Sequence, residues 1–119
     1  MASRLTPEER RALLPALGES GWDAAPEGDA ICKTWRFGDF SEAFGFMTRV
    51  ALCAEKMDHH PDWRNVWNRV EITLSTHSCD GLSVLDIELA GCIDAMEAGQ
   101  TGKPVTGARP ISVLMPEAG

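Results

Sequence analysis

Residues 40–77 read FSEAFGFMTRVALCAEKMDHHPDWRNVWNRVEITLSTH. In the first half, apolar side chains recur at intervals of three and four residues, which predicts a helix that ends near residue 57. In the second half, apolar and polar side chains alternate, as they do along a strand. We predict strands at residues 66–67 and 70–76 with a tight turn at Asn68-Arg69. His77 would then lie at the end of the second strand, on its polar face.

The chain before this stretch begins with a helix signal. Residues 6–9 read TPEE, in which Thr6 can cap a helix, Pro7 suits its first turn and Glu9 completes a capping box. Pro15 is expected to bend or end this helix. Short strands are predicted at residues 22–25 and 30–37, paired as a hairpin.

The chain after this stretch contains a third helix. Ser83 and Asp86 form a second capping-box pattern, and apolar residues keep helical spacing to about Ala98. The element order α-β-β-α-β-β-α predicts an α+β domain over residues 1–98, with a small antiparallel sheet covered by helices. Residues 99–119 form a tail rich in Gly and Pro. Its apolar residues show no periodic pattern, so the sequence does not predict its structure.

The central helix is apolar over more than half of its circumference. Besides the main apolar face, Phe46, Leu52, Cys53 and Met57 extend the surface beyond it. A helix of this kind often packs on two sides. In a chain of 119 residues the second side could be covered by another subunit, and this is our hypothesis.

The composition indicates an ordinary soluble domain. The net charge is -7, which disfavours direct binding to nucleic acid or to anionic membranes. No signal peptide and no apolar run of membrane-spanning length is visible, so we expect a cytoplasmic protein. The four cysteines show no C-x-x-C pair, and we expect all of them to be reduced: Cys32, Cys53, Cys79 and Cys92.

The three histidines are the main candidates for chemistry. His59, His60 and His77 lie within 19 residues of one another along the chain, near several carboxylates. Histidine is the side chain best suited to proton transfer near neutral pH, and a carboxylate can fix its tautomer. Each residue also has a plainer interpretation, since a surface histidine is often only solvated and Asp86 can serve as a helix cap alone.

A zinc site is the competing interpretation of the same residues. The three histidines and Cys79 could supply four ligands. Adjacent side chains point apart, however, so His59 and His60 do not easily converge on one ion. The H-E-x-x-H motif is also missing from the sequence. We therefore expect no metal and no other cofactor.

Three motifs in this order make the sequence recognisable. Residues 55–63 read EKMDHHPDW, residues 73–77 read TLSTH, and residues 81–86 read GLSVLD. Together they resemble the signature of the pterin-4a-carbinolamine dehydratases, which runs E-K-x-x-H-H-P-x-W, then T-H, then G-L-[ST]-x-x-D. The resemblance covers about residues 5–97 and leaves the tail outside.

The resemblance implies a fold, an assembly and a reaction. The fold would be three helices on one face of a four-stranded antiparallel sheet, assembled as a homotetramer, or as a homodimer, partly through the second helix. The enzyme would be a hydro-lyase that removes water from 4a-hydroxytetrahydrobiopterin to give the quinonoid dihydropterin, in the recycling of tetrahydropterin. That reaction needs proton transfers but no metal and no redox cofactor.

The resemblance also implies roles for individual residues. His59 and His77 match the general acids at the 4a-hydroxyl group, and His60 matches the residue that mainly holds the pterin. Further residues would bind the substrate or shape its pocket: Glu55, Asp58, Pro61, Trp63, Thr76, Ser78, Cys79 and Asp86.

Two other functions fit the same resemblance. Some animal relatives act as dimerisation cofactors of a homeodomain transcription factor and use the helix that forms the tetramer. A pterin-binding protein without activity is the other alternative, although a mere scaffold would not need three histidines.

Overall fold

The computed structural model describes residues 2–96 and 99–117. The helices are α1 (Pro7–Glu19), α2 (Phe40–Met57) and α3 (Val84–Ala95). The strands are β1 (Asp23–Ala24), β2 (Ile31–Arg36), β3 (Asp62–Val66), β4 (Arg69–Leu74) and β5 (Gln100–Thr101). Two short 3-10 helices lie at His77–Cys79 and Ile111–Leu114.

The helices α1 and α3 begin at the predicted caps. The Thr6 hydroxyl accepts a hydrogen bond from the Glu9 N–H at 3.1 Å, and the Glu9 carboxylate accepts one from the Thr6 N–H at 2.8 Å. Ser83 and Asp86 form the same arrangement at α3. Pro15 does not end α1, because it lies on the exposed side of the helix, where water can reach the carbonyl group that lacks its usual partner.

The sheet is antiparallel with the strand order β1-β2-β4-β3, and β5 pairs with the end of β2. One face carries Ile31 and Trp35 of β2, which lie opposite Leu74 and Val70 of β4. These side chains join Phe46 and the other buried residues of the three helices in one core. The predicted α+β fold, with three helices on a sheet of four main strands, is therefore confirmed.

The tail adds a layer that the sequence did not reveal. Residues 100–101 form β5, and the Thr34 hydroxyl of β2 donates a hydrogen bond to the Lys103 carbonyl at 2.5 Å. Val105 and Ala108 pack against Cys32 on the face of the sheet that points away from the helices. The tail therefore covers the second face of β2, which explains why five of the six residues of this strand are buried.

The hairpin between β3 and β4 differs from its prediction. The strand extends over Asp62–Val66, and the turn is Trp67-Asn68, one residue earlier than predicted. Trp67 adopts a left-handed φ of 49°, and the Asn65 amide donates to the carbonyl groups of Trp67 and Arg69 at 3.0 and 2.9 Å. The side chain of Asn65 therefore stabilises a turn that the β-branched and aromatic residues at 66–67 had concealed.

The position of His77 also differs from its prediction. Strand β4 ends at Leu74, and His77 begins a 3-10 helix instead of closing the strand. The backbone of Thr76 pairs with that of Gly81, and this bridge folds the chain back on itself. His77 therefore lies at the tip of a loop, a position that the alternating pattern of the strand could not indicate.

Two of the four cysteines lie side by side in the structure. The sulfur atoms of Cys53 in α2 and Cys92 in α3 meet between the two helices. The two cysteines meet because α2 and α3 pack against each other, and this tertiary contact cannot be read from the spacing of residues in the sequence. Cys32 and Cys79 are free, and burial raises the pKa of the Cys32 thiol to about 11.

Two predictions concern the junction between α3 and the tail. The predicted end of the helix near Ala98 and the domain boundary after it fall at residues 97–98, which lie outside the described residues. The described part of α3 ends at Ala95. In the part of the chain that the structure describes, no helix has the length and hydropathy needed to cross a bilayer.

A half-buried ion pair joins α1 to the turn between β1 and β2. Two guanidinium nitrogens of Arg10 donate to the two carboxylate oxygens of Asp29 at 2.8 and 2.7 Å. Burial alone would raise the pKa of Asp29. The hydrogen bonds from Arg10 and the Leu82 N–H, with the charges of Arg10 and Arg4, outweigh that effect and lower the pKa.

The lowered pKa of Asp29 predicts an acid-sensitive contribution to stability. Between the lower folded pKa and the unfolded value of about 4, the unfolded state binds the extra proton, so stability falls as the pH falls. We expect the Asp29→Asn variant to lose less unfolding free energy than the parent protein between pH 7 and pH 3. Urea unfolding at the two pH values measures both losses, and equal losses would contradict the prediction.

Candidate active site

The end of α2 sets the position of His59. Asp58 caps the helix in the left-handed conformation, with a φ of 52°, and the His59 N–H donates to the Ala54 carbonyl at 3.0 Å. Asp tolerates this conformation better than most residues. The reversal of the chain directs His59 inward, where only 8% of its surface is exposed.

The carboxylate of Asp86 lies behind His59 and is completely buried. Its Oδ1 lies 2.6 Å from Nε2 of His59. Its Oδ2 accepts hydrogen bonds from the Thr76 hydroxyl at 2.7 Å and from the Ser83 N–H at 2.9 Å. Asp86 is thus a helix cap and the partner of a histidine at the same time.

The donor and the acceptor of each hydrogen bond in this cluster follow from the contacts. Because the single Thr76 hydroxyl hydrogen goes to Asp86, the Ser83 hydroxyl must donate to Thr76 across their 2.6 Å contact. The Ser83 oxygen can then accept from the Leu85 N–H at 3.2 Å. The hydroxyl groups form a chain of hydrogen bonds that ends on Asp86, and the whole cluster fixes the position of His59.

A hollow of about 340 Å³ opens in front of His59. His77 and Ser78 are exposed on the loop at one side, and His60 and Asp58 lie at the other. The fold thereby brings all three histidines to one cavity, although two of them follow a helix and the third follows a strand. Its lining residues are Asp58, His59, His60, Ser75, Thr76, His77, Ser78 and Leu85.

His60 also lines a second, more apolar hollow of about 300 Å³. This hollow contains Glu55, Pro61 and Trp63, and the imidazole Nε2 of His60 lies 2.7 Å from the Glu55 carboxylate. Both partners are largely exposed, so this pair contributes little to stability. A larger cavity of about 570 Å³, between the start of α2 and residues 99–100, contains none of the histidines.

Two of the predicted site residues do not line either hollow. Asp86 is buried behind His59. The Cys79 thiol turns into its own loop, toward the carbonyl groups of Thr76 and Gly81 at 3.6 and 3.5 Å. Sequence reasoning missed Ser75, Leu85 and the Ser83 hydroxyl. Only Ser83 had a usable signal, since its capping-box pattern already tied it to Asp86.

The arrangement is suited to proton transfer. Since Asp86 holds Nε2 of His59, only Nδ1 can exchange a proton with a molecule in the hollow. His77 and His60 bring two further imidazoles to the same space. In residues 2–96 and 99–117, no group of three or more His, Cys, Asp or Glu side chains is placed to hold a metal ion.

Comparisons with known proteins identify relatives of this chain. The family model described as "Pterin 4 alpha carbinolamine dehydratase" matches residues 3–96. A Burkholderia multivorans protein, provisionally named pterin-4-alpha-carbinolamine dehydratase, is 57% identical over 98 residues, which are 82% of this chain and 94% of that protein. A Burkholderia lata protein with the same provisional name is 56% identical over 104 residues, or 87% of this chain and 98% of that protein.

A solved structure supports the same assignment. A protein from Brucella melitensis, described as a transcriptional coactivator/pterin dehydratase, superposes with a TM-score of 0.72 at 48% sequence identity. The match covers 78% of this chain and 97% of that one. Both the sequence match over residues 3–96 and the fold therefore show that this chain belongs to the pterin 4 alpha carbinolamine dehydratase family.

Proposed function

We propose that this chain removes water from a 4a-hydroxytetrahydropterin, such as 4a-hydroxytetrahydrobiopterin, in the hollow between the end of α2 and the loop that carries His77. The observation that carries the proposal is the buried His59–Asp86 pair, whose imidazole faces a cavity shared with two other histidines. In a family of dehydratases, such a pair supplies a proton carrier of fixed orientation.

The reaction consists of one bond cleavage and two proton transfers. The C4a–O bond breaks, and a general acid protonates the departing oxygen so that it leaves as water. A ring nitrogen loses its proton as the new C=N bond of the quinonoid dihydropterin forms. No electrons are gained or lost overall, so groups that donate and accept protons, such as imidazoles, are sufficient.

We assign the proton transfer at the 4a-hydroxyl group to His59 and His77. His59 is fixed by Asp86, and His77 reaches the same hollow from the opposite loop. His60 lies beside Glu55 and near Trp63, in the more apolar of the two hollows, and we assign it to holding the pterin ring. Asp58 and Ser78, on the rim, are available to bind polar groups of the ring.

The test of this proposal is stopped-flow absorbance of 4a-hydroxytetrahydropterin decay. We expect the decay rate to rise in proportion to the concentration of the protein, and to remain unchanged after treatment with a chelator. A decay rate equal to that in buffer would contradict the proposal. A loss of activity in chelator that zinc restores would replace the proton-transfer mechanism with a metal-dependent one.

A second role, in assembly, is suggested by the exposed edge of α2. Phe40, Phe44 and Leu52 are 49%, 53% and 68% exposed, and the two phenylalanine rings pack on each other at 5.7 Å. Water contact with three large apolar side chains on one helix is unfavourable. We propose that α2 is a subunit contact in a homotetramer or homodimer, or in a complex with a transcription factor.

The molar mass in solution tests the assembly. Light scattering should give a multiple of the 12.9 kDa chain mass, and Leu52→Glu should shift the protein toward the monomer. A monomer at every concentration would leave α2 free for a different partner. The description of the Brucella melitensis protein as a transcriptional coactivator makes a regulatory protein the first partner to test in that case.

A further inference from the structure

The loop from Thr76 to Ser83 connects the two halves of the candidate site. It carries His77 and Ser78 at its tip, and it ends at Ser83, whose N–H and hydroxyl belong to the Asp86 cluster. The tip itself is exposed, and its 3-10 helix has only three residues. The contacts that hold this loop in place therefore matter for the chemistry.

Asp29 holds the loop near its C-terminal end, at Leu82. Besides its paired contacts with Arg10, the Asp29 Oδ2 atom accepts a hydrogen bond from the Leu82 N–H at 3.0 Å. The Leu82 carbonyl accepts one from the Leu5 N–H at 2.8 Å. Both polar groups of the Leu82 backbone are thus bound by chain segments that do not belong to the site.

Two further features act at the same point. Arg4 donates to the carbonyl groups of Cys79 and Asp80 at 2.8 and 2.7 Å. Gly81 has no side chain, and a Cβ atom there would lie 2.5 Å from the Asp29 Oδ2 atom. A side chain at position 81 would therefore push the Asp29 carboxylate away from the loop.

We propose that Asp29, held by Arg10, is a positioning residue for the dehydration, which fixes the loop and thereby the places of His77 and of the His59–Asp86 pair. Asp29 is not among the residues that line the hollow, so it acts only through Leu82 and the loop residues on either side of it. The inference rests on the proposed function.

We expect a large loss of dehydration rate because proton transfer acts only over a short range. A general acid works only within hydrogen-bond reach of its target, and a displacement near 1 Å can cost on the order of 100-fold in rate. Removing the Asp29 charge weakens both sets of hydrogen bonds that this carboxylate accepts, those from Arg10 and the one from the Leu82 N–H. The loop would then sample positions in which His77 does not reach the 4a-hydroxyl group.

The test compares Asp29→Asn with Asp94→Asn. Asp94 forms another half-buried ion pair, with Lys33 at 2.9 Å, and its side chain is 20% exposed against 18% for Asp29. Both variants should lose stability. We expect only Asp29→Asn to lower kcat, by about 10- to 100-fold with little change in KM. Equal kcat values for Asp29→Asn and the parent, or equal losses in both variants, would overturn the inference.

A measurement that does not depend on activity separates this inference from the proposed function. The chain has only three histidines, so their ring signals can be followed by NMR. Asp29→Asn should shift the signals of His77 and His59, whereas Asp94→Asn should leave them in place. Unshifted signals would overturn the positioning role even in an active enzyme. Shifted signals in an inactive parent protein would show that Asp29 positions the histidines although the proposed function fails.

Arg4→Ala provides a second variant whose folding is not at risk. The side chain of Arg4 is 55% exposed, and the substitution removes only the contacts with Cys79, Asp80 and their surroundings. We expect a smaller loss of kcat, of a few-fold, and a shift of the His77 signal. If Asp29→Asn does not fold, a parent-like kcat and His77 signal in Arg4→Ala would overturn the inference.

Discussion

Replacing His59 with glutamine should reduce kcat for 4a-hydroxypterin dehydration by on the order of 10²–10⁴-fold. The amide nitrogen of glutamine can occupy the place of Nε2 and keep the hydrogen bond to Asp86, so the buried carboxylate does not lose its partner. The amide cannot, however, give up or accept a proton as imidazole does. The loss would therefore measure proton transfer and not folding.

Two companion variants sharpen this measurement. His77→Ala should lower kcat to a similar degree with the fold and assembly intact, because His77 is exposed at the tip of its loop. His60→Ala should mainly raise KM, since His60 is assigned to holding the pterin. If His60→Ala abolished turnover and His59→Gln left it unchanged, the roles of the two adjacent histidines would have to be exchanged.

The parts of the fold that could be predicted from the sequence are those with a local cause. The apolar repeat of α2 and the alternation in β4 each reflect the geometry of one element, and the caps of α1 and α3 depend on residues three positions apart. The turn at Trp67-Asn68 was missed although its cause is local too, because Val66 and Trp67 are residue types typical of strands. Its deciding contact comes from the Asn65 side chain, which binds the backbone across the turn.

The parts that could not be predicted depend on contacts between distant residues. The tail has no period of its own, because β5 and residues 102–109 take their shape from the face of β2 that they cover. The contact between Cys53 and Cys92 joins residues 39 positions apart. Neither pairing changes the composition or spacing that sequence analysis uses.

The candidate site divides in the same way. The three histidines were found from residue type and from the resemblance, and the structure brings them to one hollow. The partner of His59 is 27 positions away on α3, where the capping pattern gave Asp86 a sufficient local explanation. The cap and the histidine contact use different oxygens of one carboxylate, so the first role conceals the second in the sequence.

Replacing Asp86 with alanine should lower the free energy of unfolding by about 3–5 kcal/mol, the usual cost of removing one partner of a buried charged pair. The His59 imidazole, the Thr76 hydroxyl and the Ser83 N–H would all lose their acceptor inside the protein, and each unsatisfied group costs about 1–3 kcal/mol. Urea unfolding at pH 7 measures the difference between the variant and the parent protein.

Asp86→Asn separates the catalytic effect of this carboxylate from its effect on stability. Asparagine keeps the size of the side chain and one acceptor oxygen, so the fold should survive with a smaller loss of unfolding free energy. The amide cannot accept from both His59 and the Thr76–Ser83 pair, because one of its two polar atoms is now a donor. His59 must then turn or change its tautomer, and we expect kcat to fall by on the order of 100-fold.

The exposed Asp62 of β3 provides the matched control for both substitutions. Asp62→Asn removes the same charge from the same region of an acidic protein, yet Asp62 is not among the residues that line the hollow. It should therefore leave stability and kcat close to those of the parent. If Asp86→Asn matched this control in both measurements, the buried carboxylate would not be the group that fixes His59, and the orientation of the proton carrier would need another source.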